Sequence, residues 1–137
     1  MSRANKLLDH DIPEAEAAAR EARGAAYDRY AGPCDYPPHA LAMTPEYQRI
    51  VGELTTAIVT AKQWSDVANA ISSARNGIAA PQANKPEMQA VMASAKRAIG
   101  PLMGEATRNS AEWWVRAGEL RRELRRIESE YHERGGL

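Results

Sequence analysis

The sequence predicts an all-α protein: a small bundle of four to five helices, with a long amphipathic helix at its C-terminal end and a helical arm at its N-terminal end. Three observations carry that reading. Apolar residues recur at spacings of three and four over two long stretches, the period of a helix with one buried face. Proline-containing segments, 31–43 and 78–87, separate the periodic stretches. Alanine, the strongest helix former, is abundant, and no segment shows the alternation of a half-buried strand.

Asp11-Ile12-Pro13-Glu14 reads as a helix start, with Asp11 as cap, Glu14 completing a capping box and Pro13 in the first turn. The helix then runs to about Tyr30. Its apolar content is almost all alanine, and burying alanine removes little surface from water. That predicts a weakly anchored arm, ordered either against a partner or along its own bundle. Ala31 to Met43 holds three prolines and a glycine, which forbid regular helix and favour an extended link. The chain therefore divides into an arm and linker, 1–43, and a helical bundle domain, 44–137.

Thr44-Pro45 opens the next helix, with Thr44 as N-cap and Pro45 at the first helical position. Tyr47, Val51, Leu54, Ile58 and Ala61 form one apolar stripe, widened by Ile50 and continued by Trp64, Val67, Ala68, Ile71 and Ala74. Asn76-Gly77 suits a left-handed C-cap that ends the helix near Arg75. Pro86 starts a further helix carrying Met88, Val91, Met92, Ala95 and Ile99, which Gly100-Pro101 terminates. A short turn or helix follows. Asn109 and Glu112 then form a capping box for the last helix, Ser110 to about Glu133, closed by Gly135-Gly136.

The last helix is the most informative. Trp113, Ala117, Leu120, Leu124, Ile127 and Tyr131 share one narrow arc, the face expected to be buried. It pairs either antiparallel with the Tyr47–Ala61 stripe or with a second copy in a coiled coil. Trp114 points about 100° away from Trp113, toward the arginine side. Ala117 and Gly118, one turn on, leave room for a close neighbour: a third helix, or a partner for which Trp114 is an anchor.

Arg121, Arg122, Arg125 and Arg126 make a basic ridge beside the stripe, the pattern of a nucleic-acid contact. The surrounding charge argues against it. Eighteen basic and eighteen acidic residues leave the chain with formal net charge zero. Residues 111–137 alone hold six arginines and six glutamates, and Glu119–Arg122, Glu123–Arg126 and Arg126–Glu130 stand at ion-pair spacing. Phosphate binding draws its affinity from uncompensated positive charge.

No motif announces chemistry. His10, His39 and His132 are scattered, and Cys34 with His39 lacks the paired-ligand spacing of a metal site. The glutamates ride among arginines on faces expected to be wet, so no facing carboxylates are predicted. Neither catalysis nor a cofactor or metal is expected. The single cysteine, the opening residues without an apolar leader and the lack of a long apolar run lead to the expectation of a cytoplasmic protein off the membrane. The function expected is non-enzymatic: a protein–protein interaction or assembly component, adaptor or inhibitor that self-associates or docks on a protein, through Tyr27, Tyr30, Trp113, Trp114, Leu120 and Leu124. Nucleic-acid binding by the arginine ridge is the alternative.

Overall fold

The computed structural model describes residues 12–79 and 81–135. It holds four helices and, among the described residues, no strand: α1 (Ile12–Ala26), α2 (His39–Ala42), α3 (Pro45–Ala79) and α4 (Pro86–Glu133). The Asp11 cap expected for α1 lies outside the described residues.

Thr44 caps α3: the Tyr47 N–H donates to its Oγ1 at 3.4 Å. The same hydroxyl donates to the Leu41 carbonyl at 2.8 Å, which ties the one-turn α2, within the proline segment, to the start of α3. At its other end α3 passes straight through Asn76-Gly77 and stops only at Ala79. Gly135 alone among the described residues has positive φ, 74°, and it closes α4 with its N–H on the His132 carbonyl.

The largest departure from expectation is α4. Gly100-Pro101 does not end a helix, and Asn109 does not start one; 48 residues run as one rod. A mid-helix proline removes one backbone bond, here the one to the Arg97 carbonyl, and crowds that carbonyl. Pro101 lies on the solvent side, where water can take the lost donor's place. Packing on both sides of it holds the rod together. Met92 and Ile99 before it are half-buried, and Ala106 and Ser110 after it are buried. Ser110 spends its hydroxyl on the Ala61 carbonyl of α3, at 3.0 Å, rather than on a cap.

α3 lies antiparallel to α4, as the two stripes implied: Tyr47 meets Glu128 and Ser65 meets Ser110. α1 runs parallel to α4, with Ala22 beside Gly118, the Ala26 carbonyl at Arg121 and Asp28 at Arg125. α1 stops at Ala26, a turn short of Tyr30, and its row Ala15, Ala19, Ala22, Ala26 belongs to the same core as α3 and α4. Such small side chains hold the helix by proximity. A Cβ at Gly118 would lie 3.2 Å from the Ala22 carbonyl oxygen and 3.3 Å from the Ala22 Cβ.

The buried face of α3 is Tyr47, Ile50, Leu54, Ala57 and Ala61. Val51 is exposed and Ile58 only half-buried, so the seam is rotated from the expected one. Apolar residues surround much of α3, and spacing alone admits two adjoining seams. On α4, Ala117, Leu120, Leu124, Ile127 and Tyr131 are buried as expected, but the buried tryptophan is Trp114, not Trp113. The cause is that α4 is gripped from two sides, by α3 and by α1, and Trp114 falls on the α1 side. Among the described residues, the α3–α4 hairpin continues beyond the start of α1 as two helices only, up to Ala79 and Pro86.

Candidate interaction surface

The α3–α4 hairpin has two sides. On one, α1 lies along α4. The other is open: it is bounded by Gly52 and Thr56 of α3 and by Trp113, Arg116 and Leu120 of α4, around a hollow of about 590 Å³. Trp113 is 37% exposed there, and along the same side of α4 stand Leu102, 54% exposed, and Val91, 70% exposed. These three are eleven residues apart, close to three helical turns. At about 100° per residue they stay within about 40° of one line. No charged residue of α4 falls on that line between Val91 and Trp113.

The six residues expected to bind a partner are therefore not gathered together. Trp113 lies in the open groove. Trp114 and Leu124 are inside the chain's own bundle, at 3% and 0% exposure, and Leu120, 2% exposed, lies at the floor of the open groove. Tyr27 is half-exposed at the end of α1, its ring centroid 5.9 Å from that of Trp114. Tyr30 is half-buried and hydrogen-bonded to His132 Nε2.

The arginine ridge is partly consumed by the fold. Arg121 turns inward and donates its Nε to the Ala26 carbonyl at 3.0 Å, capping the C-terminal end of α1. Arg125 pairs with Asp28 at 2.7 Å, and Arg126 with Glu130 at 2.9 Å, the last as its spacing implied. Arg122 remains on the exposed side.

One functional group escaped sequence reasoning. Glu128 is not on a wet face but fully buried. Its Oε2 accepts a hydrogen bond from the Tyr47 hydroxyl at 3.4 Å, while its Oε1 has no partner among the described residues. Burial pushes the carboxyl above its ordinary range, against the pull of Arg121, Tyr47 and Arg125. Burial, followed by the charge of Glu128, pushes the Tyr47 hydroxyl up to about 12, and Tyr30 is raised for the same two reasons. The signal was in the spacing: Glu128 stands four residues after Leu124 and three before Tyr131, on the buried arc.

Among the described residues no three histidine, cysteine, aspartate or glutamate side chains gather as a metal site, and Cys34 is exposed and unbridged. No described helix is long and apolar enough to cross a membrane. No protein-family model matches the chain, and neither does any curated protein or solved structure.

Proposed function

We propose that this chain is a non-enzymatic assembly protein that pairs with a second copy of itself through the open groove of its α3–α4 hairpin. The observation that carries this reading is the row Val91, Leu102, Trp113, exposed on the side of α4 that α1 leaves free. Exposed apolar side chains aligned over two intervals of about 16 Å are a surface of the kind that a partner covers. A second hairpin is the fitting occupant. It supplies two helices of the same length, and the self-complementary patch closes as a two-fold pair without further growth. Residues 64–105 carry three acidic and four basic side chains, so two copies meet without strong repulsion. Nucleic-acid binding finds less support, since three of the four ridge arginines already hold partners within the chain.

Light scattering on the purified chain tests this. The expected mass is twice the 15.0 kDa of one chain. Leu102→Asp, on the exposed row, should weaken pairing by about 100-fold or more and return the monomer with an unchanged helical circular-dichroism signal. A wild-type monomer at every concentration, or a Leu102→Asp protein of unaltered mass, would defeat the reading. A steeply salt-dependent shift of DNA or RNA by that monomer would move the assignment to the ridge.

A further inference from the structure

The opposite side of α4 carries a second groove, between α1 and α3, independent of the apolar row. Two adjoining hollows, of about 280 and 450 Å³, run along it and share Arg23 and Asn69 on their walls. α1 contributes Arg20 and Arg23, with Glu16 one turn before Arg20; α3 contributes Lys62 and Asn69; Trp114 of α4 lies at the base. Helical spacing puts the α1 residues on one flank of their helix.

Trp114 is 3% exposed, yet its Nε1–H has no acceptor among the described residues. An indole N–H only donates, so what it lacks is an oxygen with lone pairs. The two serine hydroxyls of the groove bond each other and α3: Ser110 donates to the Ala61 carbonyl at 3.0 Å, and Ser65 lies 2.7 Å from Ser110. The groove also holds three cations against one carboxylate, and among the described residues none of the three cations is ion-paired. Two of them rest on aromatic faces instead. The Arg23 guanidinium sits 4.9 Å from the Trp114 ring centroid, and the Lys62 ammonium 5.6 Å from that of Tyr27.

We propose that this groove binds the dianionic phosphate group of a small soluble molecule. Three positive charges and Glu16 leave an excess of two, which a phosphomonoester matches near neutral pH. Its oxygens radiate to several sides, as donors arriving from α1, α3 and α4 require, and charge-assisted bonds to guanidinium and ammonium are the strong kind. Arg23 is the moving part. Drawn from the indole face onto a phosphate oxygen, it opens the wall of the groove that Trp114 lines.

The test is a titration with inorganic phosphate, followed by ¹⁵N NMR of the tryptophan indole groups, at ionic strength held constant with sodium chloride. Trp114→Phe identifies the Trp114 resonance. That resonance should move saturably while those of Trp64 and Trp113 stay in place. Lys62→Gln and Arg23→Gln should each weaken binding about tenfold. Lys62 lies on α3, so its variant keeps the test open if Arg23→Gln loosens α1. A non-saturable drift, equal movement of all three resonances, unchanged affinity in Lys62→Gln, or acetate binding as well as phosphate would each overturn the proposal. Vesicles containing phosphatidic acid form a separate arm; binding to them without response to free phosphate would overturn the soluble ligand.

Discussion

Gly118→Leu should lift α1 off the bundle and cost about 2–3 kcal/mol. The first added carbon already lies 3.2 Å from a backbone oxygen of α1, and backbone cannot step aside as a flexible side chain can. A leucine must therefore push α1 outward as a body. The alanine row has no long side chains that could follow the retreat and refill the gap. Three contacts would be strained together: the Ala22–Gly118 approach, the Arg121 cap on Ala26 and the Arg125–Asp28 pair. Urea denaturation should show a lower midpoint, and trypsin should cut earlier at Arg20, Arg23 and Arg29. Gly118→Ala should show the same effects at smaller size. An unchanged midpoint in the leucine variant would mean that α1 is not held where the structure puts it.

Glu128→Gln should stabilise the protein above neutral pH by about 1–2 kcal/mol and leave it unchanged in acid. The sign follows from the direction of the shift. The carboxyl is raised in the fold, so the native state holds a proton that the unfolded chain has released. Stability from that proton is fully present below the ordinary glutamate range and is lost as pH rises through the folded value. Glutamine keeps an acceptor for the Tyr47 hydroxyl and never ionises. Melting curves of the two proteins should coincide near pH 4 and separate by pH 8, the variant melting higher. Parallel curves across the range would show that Glu128 is not held in its buried setting.

Much of the helical architecture could be read from residues, and its failures have physical causes. Thr44-Pro45 announced the start of α3 because capping is a local bond between neighbours. The Leu120–Leu124–Ile127–Tyr131 face was readable because one period governs it. Pro101 misled because a proline's cost is local, while the packing that overrides it comes from α3. Asn76-Gly77 misled in the same way: both residues permit a cap without compelling one. Which tryptophan is buried depends on where α1 lies, and the α1 sequence, nearly all alanine, does not specify its berth. The groove that α1 and α3 wall, and the orphaned indole N–H in it, exist only once three distant segments meet.

The hairpin outruns its third helix by some five turns of α4. Over that length, among the described residues, α4 has one neighbouring helix rather than two, so separating the two helices there exposes little and leaves the rest intact. Amide hydrogens around Ile78 and Met88 should trade with solvent deuterium well before those around Ile50 and Leu124. A firm hub carrying a pliable stalk is the behaviour expected of this layout, and a partner that seized the stalk would stiffen it.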